Sequence, residues 1–168
     1  SLGSEQEDLR MTTYCPKNSV RHNFGAETFI TNCDKLLSAI SAVIRDREEA
    51  KGHLLIKGPL GSGRRTLALY LLVHSHRHFH PYVSIQCHTK VQARDIFRAV
   101  ENRAVGSCYL ENVDQLTAGE WGKVSKYFSL RGIWLVASVE TKLKSSFNES
   151  AFQRSIVIPA LRSRRGDI

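Results

Sequence analysis

The apolar run His53–Lys57 (HLLIK) passes without a break into Gly58-Pro-Leu-Gly-Ser-Gly63, and then into the aliphatic stretch Thr66–Ser75 (TLALYLLVHS). A short apolar run that stops in a glycine cluster reads as a strand entering a turn. The unbranched aliphatic residues that follow read as a helix of about three turns. Glycines at 58, 61 and 63 let the backbone bend so that N–H groups converge on one point. The positive end of the next helix is directed to the same point. Gly58–Thr66 (GPLGSGRRT) matches the phosphate-loop pattern GxxxxGK followed by Ser or Thr at its glycines. It departs from that pattern twice. Arg64 stands where a lysine would reach the phosphates, and Arg65 stands where a hydroxyl would hold magnesium, with Thr66 one residue later. A guanidinium keeps the charge but is larger and planar. The competing reading is a plain turn that joins a strand to a helix; the apolar run and the helix on either side favour a phosphate loop.

The rest of the chain repeats the alternation. A helix is expected within Ala26–Glu49, with apolar spacing from Leu36 through Ile44. Strands are expected at Tyr82–Gln86, Ser107–Leu110, Ile133–Ala137 and Ser155–Ile158, with helices at Val91–Arg103 and Ala118–Phe128 between them. Residues 1–20 are polar and read as a flexible lead-in, of which Ser1–Ser4 reads as an expression scar. Strands alternating with helices imply a layered α/β domain with a mostly parallel sheet. Runs that are apolar throughout imply a sheet covered on both faces. The length suits one domain, over residues 21–168.

Composition excludes several classes. No apolar run is long enough to span a membrane, and no signal-peptide pattern opens the chain. The four cysteines (Cys15, Cys33, Cys87, Cys108) form no CxxC pair, which points to reduced thiols and a cytoplasmic protein. The net charge of +8 favours acidic partners. The basic residues are nevertheless scattered, with small clusters at Arg64–Arg65 and Arg162, Arg164 and Arg165, and no DNA- or RNA-binding motif is visible. His74, His76, His78 and His80 alternate, but solvated surface explains them better than a metal site, and no metal ligand set is assigned.

From Phe24 to Ile168 the sequence resembles the central AAA+ domain of sigma-54-dependent transcriptional activators, the bacterial enhancer-binding proteins. Phe24–Gly25 is similar to the family's Ile-Gly near the adenine pocket, and His80–Cys87 (HPYVSIQC) to its stretch ending PFVAVNC. Gly106–Val113 (GSCYLENV) resembles the Walker B strand GTLFLDEI, Phe147–Arg154 (FNESAFQR) resembles FREDLYYR, and Pro159–Ile168 (PALRSRRGDI) resembles PPLRERREDI. The resemblance implies a three-layer P-loop NTPase core that stops before the helical lid. It also implies a site built from Phe24, Gly25, Gly58, Gly61, Ser62, Gly63, Arg64, Arg65, Thr66, Glu111 and Arg154.

The departures from the family imply lost catalysis. Glu111 replaces the aspartate that organises magnesium, and Asn112 replaces the glutamate that polarises water. Asparagine cannot accept a proton at neutral pH, so no catalytic residue is assigned. Val139 replaces the sensor asparagine, and Asn148 replaces one trans-acting arginine, while Arg154 matches the other. No GAFTGA loop, which in the family grips sigma-54, occurs between Cys87 and Gly106. The expectation is a degenerate AAA+ module of a transcription regulator that takes ATP or ADP weakly or not at all, with no secure place for magnesium. Expected partners are further copies of itself, RNA polymerase or other regulator domains, with DNA reached only through other domains. Two alternatives stay open: an active ATPase using Glu111 as metal ligand, and a ligand-free interaction scaffold.

Overall fold

The computed structural model describes residues 11–14, 34–45, 52–74, 81–102, 105–143 and 147–160. Helix α1 (Asp34–Arg45) precedes strand β2 (His53–Lys57), and the glycine loop leads into helix α2 (Arg64–His74). Strand β3 (Tyr82–Gln86), helix α3 (Ala93–Glu101), strand β4 (Ser107–Glu111), helix α4 (Ala118–Leu130), strand β5 (Trp134–Val139) and strand β6 (Phe152–Val157) follow. Strand β1 is Met11–Tyr14. The sheet order is β1-β3-β4-β5-β2-β6, parallel throughout except for β1, which pairs antiparallel with β3. The polar stretch read as an irregular lead-in therefore contributes an edge strand at residues 11–14. Edge pairing needs backbone groups rather than an apolar pattern, so side-chain alternation carries no sign of it.

The central strands are buried on both faces because helices cover each side. Leu54 and Ile56 of β2 pack with Leu36, Ile40, Leu67 and Leu71 from α1 and α2. Leu55, between them, faces the opposite layer with Ile96 and Val100 of α3 and Trp121, Val124 and Phe128 of α4. One strand thus feeds two cores, as the two-residue period of a strand dictates. Successive parallel strands joined through helices place the loops after β2 and β4 along one edge of the sheet, where such folds have their crevice.

Two polar devices fix the helices to this sheet. Glu120, in the first turn of α4, accepts the Ala93 N–H at 2.6 Å and so caps α3. The bond to Ala93, with Lys123 beside it, holds the Glu120 carboxyl below the usual range. Its contribution is therefore complete above the ordinary carboxylate pKa and is lost as acid protonates it. His53 is buried at the start of β2. Its Nδ1 accepts the Leu135 N–H at 3.0 Å, and its Nε2 lies 3.1 Å from the Phe128 carbonyl. The first contact leaves the proton on Nε2, which donates to Phe128, so one neutral ring ties β2 to β5 and to α4. His53→Leu would strand a buried N–H and a buried carbonyl. It is expected to lower unfolding stability by about 2 kcal/mol in urea titrations.

Candidate functional site

The loop after β2 begins with a close approach. The Gly58 N–H donates to the Val139 carbonyl at 3.2 Å, locking the end of β2 to the end of β5. A Cβ at position 58 would lie 2.6 Å from Ser62 Oγ and 3.2 Å from Ile158 Cβ, so a side chain there would have to displace Ser62. The Ser62 N–H donates to the Pro59 carbonyl at 3.1 Å, closing the turn. Gly61 (φ 74°) and Gly63 (φ 91°) both take the left-handed region that favours glycine. Helix α2 starts at the next residue, and its N-terminal N–H groups open onto the loop. Ser62 is buried and Thr66 half-buried, while Leu60 at the tip is exposed. The loop closes on itself and leads straight into the helix N-terminus, as in a phosphate cradle.

Arg64 decides between a cradle and a simple turn. It is only 9% exposed, and its Nη1 is buried without a hydrogen-bond partner. A buried guanidinium with an unused donor costs free energy unless an anion completes it. Arg65 points elsewhere: it is half-exposed, and its Nη1 lies 3.3 Å from Glu111 Oε2 at the end of β4. The two arginines that depart from the phosphate-loop pattern therefore differ in setting. One is buried in the first turn of α2, and the other bridges the loop to β4. The structure brings Gly58, Gly61, Ser62, Gly63, Arg64, Arg65, Thr66 and Glu111 to one edge of the sheet.

Other candidate residues fall elsewhere. Phe24 and Gly25 lie outside the described residues. Arg154 is on β6 in register with Leu54, three positions before Lys57 at the loop end of β2, so it does not reach this chain's own loop. Asn112 takes a left-handed backbone (φ 55°), which asparagine tolerates, and its carbonyl accepts the Gln115 N–H at 2.9 Å. Asn148 caps a short turn by accepting the Ser150 N–H at 2.9 Å, and its carbonyl accepts the Trp121 indole N–H at 3.0 Å. Val139 is fully buried. His74, the one described member of the histidine series, packs against Tyr70 at 4.3 Å between ring centroids.

Some residues near the site carry no legible mark in the sequence. Asp114 is 7% exposed, three residues beyond Glu111. Burial first, and then the Glu111 and Asp114 carboxylates, push the Cys87 thiol far above its ordinary range, so Cys87 stays protonated and unreactive. The Tyr109 hydroxyl meets Ser138 Oγ at 2.7 Å. Burial raises its pKa against the opposing effect of that bond, with smaller influences from Glu111, Arg64 and Arg65. Lys57, at the last position of β2, pairs with Glu149 at 2.5 Å and braces the loop against the β5–β6 connection. These contacts join positions distant in the chain, and no local spacing encodes them.

The donor set fits a phosphate: a glycine loop, the helix N-terminus that follows it, and a buried guanidinium whose Nη1 has no hydrogen-bond partner. It does not fit magnesium. An arginine replaces the hydroxyl ligand, and that arginine holds the carboxylate at the end of β4. Gly61 has open space around its missing Cβ. Gly61→Ala should therefore cost only backbone strain, about 1 kcal/mol, whereas Gly58→Ala must displace Ser62 and should cost about 1–3 kcal/mol. Thermal denaturation of the two variants checks the order.

No family model matches the chain, and no curated protein matches it. Solved structures do. NtrX from Brucella abortus in complex with ADP is similar with a TM-score of 0.61 at 17% identity, over 84% of this chain and 39% of that one. The same protein in complex with ATP is similar with a TM-score of 0.58 at 19% identity, over 84% and 41%. PCH-2 of C. elegans is similar with a TM-score of 0.50 at 13% identity, over 74% and 41%. The chain thus spans about two fifths of the length of the structures it matches. At these identities the likeness establishes the fold. It agrees with the parallel order β3-β4-β5-β2-β6 and the glycine loop after β2, and gives the chain the layered α/β fold of those structures.

Proposed function

We propose that this chain is a nucleotide-binding AAA+ module that takes ADP or ATP through the loop at Gly58–Thr66 and does not turn ATP over, serving a transcription regulator as a sensing or assembly unit. One observation carries the reading: a guanidinium 9% exposed, with an unpartnered Nη1, in the first turn of a helix that starts from a closed glycine loop. An anion with several acceptor oxygens would satisfy all three. The NtrX structures with ADP and ATP, which share this fold, support the choice of ligand.

Silence in hydrolysis follows from the residues at the end of β4. Asn112 offers an amide where a proton acceptor is needed, and its left-handed backbone commits it to the turn after the strand. The sensor position holds a buried Val139. The regulatory role rests on the sequence resemblance to sigma-54-dependent activators. The absence of a GAFTGA sequence favours control through self-association or through contact with RNA polymerase or other regulator domains over remodelling of sigma-54.

Calorimetry with ADP and ATP tests the ligand, and phosphate release in the presence of magnesium tests the silence. Binding without release is expected, and family-like turnover would overturn the second half of the reading. Arg64→Met separates ligand binding from folding. It should weaken nucleotide binding by about tenfold or more. The ligand-free melting temperature should hold or rise, because a buried unpaired charge has been removed. A variant that melts lower and binds normally would make Arg64 a structural residue.

A further inference from the structure

In phosphate-loop proteins magnesium is held between the loop hydroxyl and a carboxylate at the end of the neighbouring strand, and it carries the charge of the phosphates. Here both ligand positions are changed in a matched way. Arg65 occupies the hydroxyl position, Glu111 occupies the carboxylate position, and the two side chains meet at 3.3 Å. The extra methylene of glutamate relative to aspartate extends the carboxylate toward a side chain that itself arrives from the first turn of α2.

We propose that the Arg65 guanidinium stands in for the divalent cation, so that the site binds nucleotide di- and triphosphates in their metal-free form. The inference rests on the nucleotide-binding reading above. Magnesium demands near-octahedral oxygen ligands, and the hydroxyl it needs is gone. A guanidinium seated on Glu111 repels a second cation from that carboxylate. Asp114, the other carboxylate near the end of β4, is buried at 7% exposure. Arg65 itself keeps capacity in hand. It has five N–H donors, of which Nη1 engages Glu111, and its side chain is 50% exposed on the loop side of β4. An exposed pair of this kind is weak and exchangeable, so a phosphate can take up the remaining donors or share the guanidinium with Glu111. With Arg64 the site presents two fixed positive charges and needs no third from solution. Arginine suits the task because its planar fork binds two phosphate oxygens at once.

The test is calorimetry of the full chain with ADP and with ATP, in millimolar magnesium and in EDTA. Binding should be tighter in EDTA than in millimolar magnesium, by about tenfold for ATP and by less for ADP, because magnesium draws nucleotide into a complex that the site does not take. Manganese added to the chain with ADP should give the same free-ion paramagnetic signal as manganese with ADP alone, scaled to unbound nucleotide. Glu111→Gln releases Arg65 from its competing carboxylate and should tighten binding in EDTA by about fivefold. Arg65→Ala should loosen it by about tenfold. The double variant Arg65→Thr with Glu111→Asp restores both ligand types and should make EDTA weaken binding by about tenfold. Both side chains reach solvent, and melting curves of each variant confirm that it is folded. Wild-type binding that requires magnesium overturns the inference and leaves the nucleotide-binding reading intact. Glu111→Gln that binds more weakly overturns it as well, and so does a double variant whose binding magnesium does not strengthen. Absence of binding by either nucleotide in both conditions removes the nucleotide-binding reading and this inference with it.

Discussion

The organisation of this domain depends on the hydrogen bond between Gly58 and Val139 and the loop it starts. That contact fixes where β2 ends relative to β5. From there the chain has five residues in which to reverse direction and begin α2, and it succeeds because two of them adopt left-handed backbones. The consequence is electrostatic. Helix α2 begins with its amides uncapped by any acidic residue in its first turn, and with two arginines there instead. Positive potential at a helix N-terminus is normally offset by an acidic cap. Here the two arginines reinforce it, as the proposed anionic ligand would require.

On the function proposed above, the two arginines divide the work that a lysine, a hydroxyl and a metal share in phosphate loops. Arg64 is held in the interior with a donor unspent, while Arg65 reaches across to Glu111. Their different burial explains why they are not interchangeable. A buried guanidinium gains strongly from an anion because the surroundings screen poorly, whereas a half-exposed one is held less tightly and can exchange partners. The changes at Asn112, Val139 and Asn148 belong to the same picture. Each has been absorbed into local structure as a turn residue, a core residue and a cap respectively.

Much of the fold was legible because its elements have strong local signals. The runs at 53–57 and 82–86 coincide with β2 and β3, since short apolar segments bounded by glycine, proline or polar residues have few other stable uses. Boundaries moved where the signal was weak. Strand β6 starts at Phe152 rather than Ser155 because its first half is only partly buried on an edge, where polar residues are tolerated. Strand β1 left no pattern at all, since its pairing partner lies some seventy residues away in the chain. The glycine loop and its two substitutions were visible as a motif. The bridge from Arg65 to Glu111, the isolation of Arg64, and the buried Asp114 beside Cys87 were not.

Local chemistry alone settled that strands and helices alternate, that both faces of the sheet are covered, and that a glycine turn after the first core strand can collect amides. Those properties follow from side-chain period, propensity and glycine backbone freedom, all of which act over a few neighbouring residues. Tertiary structure alone decided which of two adjacent arginines would be buried and which would meet a carboxylate across the sheet edge. That choice depends on how α2 is set against β4, and the chain specifies it only by folding. Charge in a sequence is a list; its meaning comes from the distance and burial that packing imposes.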